Sequence, residues 1–126
     1  MKLFIYGTLK RGQSRHALLS GQRFLGTART QPAYRLYDLG AYPGLVADQR
    51  GYQVEGEVWE IDDQCLARLD QVEGVPRLYR RAIVQLQGGR HAGVQTYLYE
   101  GPLADQADCG ARWPSGRPGP IRKGCT

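Results

Sequence analysis

The chain has 126 residues, 41% of them hydrophobic and 23% charged, and a formal net charge of +5. This length predicts a single domain that buries its own core without disulfide bonds. The sequence contains no apolar run long enough to span a membrane, and Cys65, Cys109 and Cys125 lack metal-ligand spacing. We therefore expect a cytoplasmic protein with reduced thiols, no membrane association and no metal site.

The first predicted element is a strand over residues 2–6 that is apolar on both faces and therefore central in a sheet. The segment "IYGTLKRG", residues 5–12, then abandons this pattern. At the end of a central strand, backbone N–H groups lose their ladder partners, and Gly7 has no Cβ. The backbone here can therefore approach an anionic ligand closely. A simple strand-to-turn glycine is the other interpretation, and the pattern alone favours it.

The next part of the chain predicts mainly extended structure. Residues 15–20 can form a short helix, and residues 23–37 read as extended chain broken at Pro32. Pro43–Gly44 reads as a turn. Residues 53–61, "QVEGEVWEI", alternate with the period of a strand.

The sequence predicts one main helix, which follows this strand. Asp62 or Asp63 is a suitable N-cap, and Gly74 followed by Pro76 predicts the end of the helix. The apolar stripe that this helix would bury consists of Cys65, Leu66, Leu69 and Val72.

Two further strands, at 79–87 and 91–100, complete the predicted fold. Strands outnumber helices without regular alternation, which predicts an α+β protein: a small curled sheet or barrel with one main helix against it. We place this domain at residues 1–108. Residues 109–126 form a basic tail rich in Pro and Gly, which we expect to be loosely docked. The body lacks a broad basic surface, so we do not expect a nucleic-acid partner.

One carboxylate is the candidate catalytic group in this chain. The sequence has no metal-binding histidine pattern, no G-x-S-x-G elbow and no P-loop, so we expect no cofactor. Glu73 lies four residues after Leu69 and continues the apolar stripe of the helix. Burial and the negative end of the helix dipole would both raise its pKa, which suits a group that exchanges protons near neutral pH. If the helix ended earlier, Glu73 would simply point to water, and periodicity alone favours that interpretation.

Four ordered segments together resemble the γ-glutamylcyclotransferase superfamily, in particular its short γ-glutamylamine-cyclotransferase-like (AIG2-like) branch. They cover most of residues 1–100 in the order found in that branch. The segments are "YGTL" at 6–9, "LYDLGAYPGLV" at 36–46, "GEVWEID" at 56–62 and "RLDQVEGVPRLYRR" at 68–81.

This resemblance implies a fold and a reaction. The family fold is a small mixed β-barrel with helices packed outside, which agrees with the predicted elements. The family reaction is attack of the substrate's α-amine on its own γ-carbonyl, which closes 5-oxoproline and expels an amine without a metal or organic cofactor. The essential glutamate maps onto Glu73. The substrate-binding positions map onto Tyr6, Gly7, Thr8 and Leu9, with Tyr79 as a further candidate.

Two other interpretations follow from the same residues. A non-catalytic module could use the same cavity to bind a small γ-glutamyl compound or carboxylate. A nucleic-acid role carried by the basic tail is the weaker alternative. The oligomeric state and the amine that is expelled are not predicted by the sequence.

Overall fold

The computed structural model describes residues 1–88, 91–103 and 107–114. Within these ranges the chain forms eight strands, one α-helix and a short 3-10 helix at His16–Leu19. The strands and the α-helix are β1 (Lys2–Ile5), β2 (Arg23–Arg29), β3 (Tyr34–Asp38), β4 (Pro43–Ala47), β5 (Glu55–Glu60), α1 (Asp63–Val72), β6 (Tyr79–Ile83), β7 (Gln95–Tyr99) and β8 (Ala107–Asp108).

The strands form one curled mixed sheet in the order β2-β5-β1-β7-β4-β3-β8, with β6 paired to β7. Strand β7 is parallel to both β1 and β4, and the other pairings are antiparallel. The α+β class and the mixed, barrel-like sheet with one main helix are therefore confirmed.

Strand β7 organises the centre of the sheet. Strand β6 pairs with it along all five of its residues. Its pairings with β1 and β4 are short: Leu3 registers with Gln95, and Leu45 registers with Leu98. Because β6 occupies one edge of β7, the other edge is shared by β1 and β4, one after the other. The segment that follows β1 therefore lies beside the first residues of β4.

Alternation in β1 separates two hydrophobic clusters. Phe4 packs in a cluster with Leu45, whereas Leu3 and Ile5 pack in a second cluster that includes Leu69 of α1. Helix α1 covers this second face of the sheet. Leu3, Phe4, Leu45 and Leu69 are fully buried, and truncation of such a leucine to alanine costs about 2–5 kcal/mol.

Helix α1 begins as predicted and buries less than predicted. Asp62 is the N-cap, and its side chain accepts a hydrogen bond of 2.7 Å from the Cys65 N–H, which settles the choice between Asp62 and Asp63. Cys65 and Leu69 are buried, but Val72 is 39% exposed, so the predicted stripe is wrong at its last position.

The predicted turn at Pro43–Gly44 is wrong, because both residues belong to β4. Pro43 is the first residue of the strand, where its missing N–H costs no ladder bond. Gly44 packs against Tyr99, and a Cβ at Gly44 would lie 2.8 Å from the Tyr99 Cβ. The residues that suggested a turn are instead those that allow close strand contact.

Residues 109–114 pack against the barrel. Cys109 is buried and Trp113 packs on the core, while the Ala111 carbonyl accepts a 2.7 Å hydrogen bond from the Glu55 N–H. The expectation of a loosely docked tail is therefore wrong for these six residues. The rest of the predicted tail, 115–126, lies outside the described residues, and the division of the chain at residue 108 stays a prediction.

Candidate active site

A small recess opens at the point where the chain leaves β1 and β4 begins. Its volume is about 20 Å³, so the recess is narrow. The described residues that line it are Phe4, Ile5, Tyr6, Gly7, Thr8, Leu9, Tyr42, Pro43, Glu73, Tyr79 and Tyr97. The structure thus brings all six residues that the sequence analysis selected, Tyr6 to Leu9, Glu73 and Tyr79, to one place.

The end of helix α1 places Glu73 in this recess. Glu73 is the C-cap residue and keeps helical dihedral angles, and Gly74 follows with φ +66°. The Val75 N–H donates to the Asp70 carbonyl and the Gly74 N–H donates to the Gln71 carbonyl, which is the Schellman pattern. The helix therefore does not end early, and its last residue turns toward the recess rather than into solvent.

Glu73 is half-buried and chemically unpartnered. Among the described residues no group donates a hydrogen bond to its carboxylate, and no cation lies within 4.0 Å of it. Burial raises the pKa of Glu73 to about 7, and the positive charge of Arg15 opposes this rise without cancelling it. A carboxyl group with this pKa holds and releases a proton at neutral pH.

The loop after β1 faces Glu73 with free backbone donors. Lys10 and Arg15 donate their N–H groups back to the carbonyls of Gly7 and Thr8, at 3.1 and 2.8 Å, and this closes the loop on itself. The N–H groups of Gly7, Thr8 and Leu9 have no acceptor in the part of the chain that the structure describes. Because all three residues are buried, these donors are available to an anionic group inside the recess.

Gly7 is required by close packing rather than by an unusual dihedral angle. A Cβ at this position would lie 2.6 Å from Cγ and 2.8 Å from Cδ of Pro43. The proline ring occupies that space and forms the opposite wall of the recess. The close approach that the structure shows at Gly7 is to Pro43, and the close approach of an anionic ligand stays a prediction.

Three tyrosines shape the recess, and their hydroxyl groups bond to the protein itself. Tyr6 Oη donates to the Tyr97 carbonyl at 2.6 Å and accepts from the Leu45 N–H at 3.2 Å. Tyr79 Oη donates to the Pro43 carbonyl at 2.6 Å, and Tyr97 Oη donates to Asp70 Oδ1 at 2.7 Å. Burial raises the pKa of all three phenols well above the ordinary value, so they are neutral walls.

The two cations that follow the loop are anchors that point away from the recess. Lys10 Nζ donates to the Trp113 carbonyl at 2.6 Å. Arg11 Nε pairs with Glu57 Oε2 at 3.1 Å, and its guanidinium lies 3.9 Å from the centre of the Phe24 ring. Both side chains therefore have partners within the protein, and neither lines the recess.

Sequence reasoning missed several residues at this site. The sequence predicts a turn at Pro43 and assigns no role to Tyr42, and it offers Tyr97 and Tyr99 as candidate lining residues without choosing between them. The "YPG" of residues 42–44 was the available signal, since it lies in a segment shared with the resembled family. Tyr97 was placed correctly on the last strand, but only the pairing with β1 shows that it reaches the recess. Within the described ranges, no three His, Cys, Asp or Glu residues are grouped so that they could hold a metal ion.

Comparisons with known proteins agree with this geometry. The chain matches the family described as "Gamma-glutamyl cyclotransferase, AIG2-like" over residues 3–117. It is 49% identical over 99 residues to a Vibrio cholerae protein provisionally named a gamma-glutamylcyclotransferase, with 78% of this chain and 81% of that protein covered. It is 35% identical over 112 residues to the gamma-glutamylaminecyclotransferase of Rattus norvegicus, covering 77% of this chain and 75% of that enzyme.

A solved structure supports the same assignment. The crystal structure of an AIG2-like protein from Mus musculus superimposes with a TM-score of 0.67 at 33% sequence identity, covering 79% of this chain and 76% of that one. The chain therefore belongs to the AIG2-like gamma-glutamyl cyclotransferase family. The family resemblance inferred from the four sequence segments is confirmed, and membership supports an enzyme that acts on small γ-glutamyl compounds. No helix in the described ranges is long and apolar enough to cross a membrane.

Proposed function

We propose that this protein is a γ-glutamyl cyclotransferase that uses Glu73 as its general acid and base. The substrate's α-amine attacks its own γ-carbonyl, which closes 5-oxoproline and expels an amine. The observation that carries the proposal is the position of one unpartnered carboxyl group, with a pKa of about 7, in the same recess as three free backbone N–H groups. We also infer a cytoplasmic location, which the free, buried thiol of Cys65 favours.

The proton balance explains why a single carboxylate is sufficient. At neutral pH the α-amine is an ammonium group, so Glu73 must first remove one proton. The free amine then forms the C–N bond of the ring, and protonated Glu73 returns the proton to the departing nitrogen as the old C–N bond breaks. The new ring nitrogen loses its remaining extra proton to Glu73, which passes it to the released amine.

The loop supplies electrostatic stabilisation for the same steps. The N–H groups of Gly7, Thr8 and Leu9 are buried and have no protein acceptor in the described chain. They can hold the substrate's α-carboxylate or stabilise the negative oxygen that develops on the γ-carbonyl. Because the reaction is intramolecular, holding the substrate folded removes much of the entropic barrier. The rings of Tyr6 and Tyr79 supply apolar walls for this folded conformation.

The experiment is a screen of purified protein with a panel of γ-glutamyl amino acids and amines, in which 5-oxoproline and free amine are measured by mass spectrometry. We expect equal amounts of both products.

Glu73→Gln should lower kcat by about 100- to 10,000-fold, the usual contribution of a positioned acid–base group. The matched control is Glu100→Gln, a carboxylate on an exposed surface ion pair with Arg80, which should retain full activity. Full activity in Glu73→Gln would contradict the mechanism.

A non-catalytic binding module is the second candidate, because the same recess could hold a γ-glutamyl compound without turnover. Calorimetry distinguishes the two. Saturable binding with no 5-oxoproline after long incubation would favour the module. The free carboxylate with a pKa near neutrality favours the enzyme, since simple recognition of an anion gains nothing from an acidic group beside it.

A further inference from the structure

Arg15 lies beside the recess and is fixed to its loop. The Arg15 N–H donates to the Thr8 carbonyl at 2.8 Å, so its backbone moves with the segment that lines the recess. Its guanidinium carbon stands 5.9 Å from the centre of the Tyr42 ring. Tyr42 is a lining residue, whereas Arg15 is not, and Arg15 is half-buried. The Arg15 guanidinium therefore lies at the mouth of the recess rather than on its floor.

Arg15 differs from five other arginines of the described chain in having no carboxylate partner. Arg11, Arg29, Arg35, Arg80 and Arg81 each pair with a carboxylate. Arg15 makes no such pair and donates no side-chain hydrogen bond to any described residue. It nevertheless lies close enough to Glu73 for its charge to act on that carboxyl group. A half-buried guanidinium without an acceptor is an unfilled binding site for an anion.

We propose that Arg15 binds a carboxylate on the amine that the reaction expels, so that γ-glutamyl α-amino acids are preferred over γ-glutamyl amines that lack this group. The inference rests on the proposed function. With the glutamyl part inside the recess against the loop N–H groups, the expelled part must leave through the mouth, where Arg15 stands. A guanidinium binds a carboxylate through two parallel hydrogen bonds and repels a cationic amine.

The test uses two substrates that differ only in this carboxylate: γ-glutamyl-alanine and γ-glutamyl-ethylamine. Their affinities are measured by calorimetry in the Glu73→Gln background, where turnover does not interfere, with Arg15 intact or changed to Gln or Lys. We expect γ-glutamyl-alanine to bind about 10- to 100-fold more tightly when Arg15 is present, as a charged hydrogen-bonded pair provides. Arg15→Gln should remove this preference without changing the affinity for γ-glutamyl-ethylamine, and Arg15→Lys should keep part of it.

Two results would overturn the assignment. Equal affinities for the two compounds in the Arg15 protein would show that the guanidinium does not select a carboxylate. An equal loss of affinity for both compounds in Arg15→Gln would show that Arg15 binds the glutamyl α-carboxylate instead. Binding separates this question from the proposed function, because the affinity ratio tests Arg15 even if the wild-type protein forms no 5-oxoproline.

A second measurement separates a direct role from a structural one. The groups that face Glu73 are the neutral phenols of Tyr6, Tyr79 and Tyr97 and the charge of Arg15. Since Arg15 lowers the pKa of Glu73, the acidic limb of the kcat/KM profile for γ-glutamyl-ethylamine should move to higher pH in Arg15→Gln. An unchanged profile would contradict the placement of Arg15 beside the reacting groups.

Discussion

Two carboxylates lie on opposite sides of the loop that follows β1, and their surroundings differ. Glu57, on β5, is 7% exposed and accepts hydrogen bonds from the Arg11 N–H, from Arg11 Nε and from Trp59 Nε1. Glu73 is also withdrawn from water, but in the described chain nothing donates to it. Burial with donors makes an acidic residue part of the scaffold. Burial without donors leaves its charge unstabilised and its proton exchangeable.

The largest effect expected from this contrast is the pH dependence of catalysis. Glu73 acts first as a base, so only the ionised fraction of the enzyme is productive. Because burial raises the pKa of Glu73 to about 7, kcat/KM should approach a tenfold fall per pH unit below that value, which amounts to about 50-fold between pH 7 and pH 5. Initial rates of 5-oxoproline release across this range measure it. A profile that stays flat down to pH 5 would show that Glu73 is not the base.

The second effect is a loss of stability, which we expect at Glu57. Glu57→Ala removes the acceptor of the Arg11 N–H and of Trp59 Nε1, and we expect it to lower the free energy of unfolding by about 2 kcal/mol. Urea unfolding at pH 7 measures this loss. Glu55→Ala is the matched control on the same strand. Its side chain is 39% exposed in a surface pair with Arg29, so the change should stay within about 1 kcal/mol. Equal losses of unfolding free energy in the two variants would show that Glu57 stabilises the fold no more than an exposed carboxylate does.

The smallest effect is a stabilisation that grows with pH. The pKa of Glu73 is higher in the folded protein than in the unfolded chain, so folding binds a proton between the two values, and stability falls as pH rises from about 4.5 to about 7. Glu73→Gln removes this penalty. At pH 8 the variant should be more stable than wild type by about 1–2 kcal/mol, after allowance for partial exposure, and at pH 4.5 the two should agree.

Unfolding midpoints at the two pH values test this linkage. A Glu73→Gln protein that is less stable than wild type at pH 8 would show that the carboxylate is stabilised by the fold. That result would also remove the contrast with Glu57.

The sequence was sufficient for the parts of the site that depend on local pattern. Helical periodicity followed by Gly74 placed Glu73 at a helix end, and the apolar run before Gly7 placed a loop at a strand end. Pro43 and Tyr97 reach the recess because of the strands that pair along the edge of β7. The sequence on either side of these residues carries no signal for that strand pairing. Pro43 was misread because proline and glycine indicate turns locally, whereas here they permit close packing of strands.

The hydroxyl of Tyr6 joins the recess to the sheet that surrounds it. It donates a hydrogen bond to the Tyr97 carbonyl of β7 and accepts one from the Leu45 N–H of β4, so it joins two strands that also pair with each other. Replacing Tyr6 with phenylalanine would delete one oxygen atom and remove both of these buried hydrogen bonds. A mutational scan would score this position as intolerant whatever the substrate. Low activity in this variant would therefore reflect damage to the fold. A measurement of folding is needed to distinguish that damage from the loss of a catalytic group.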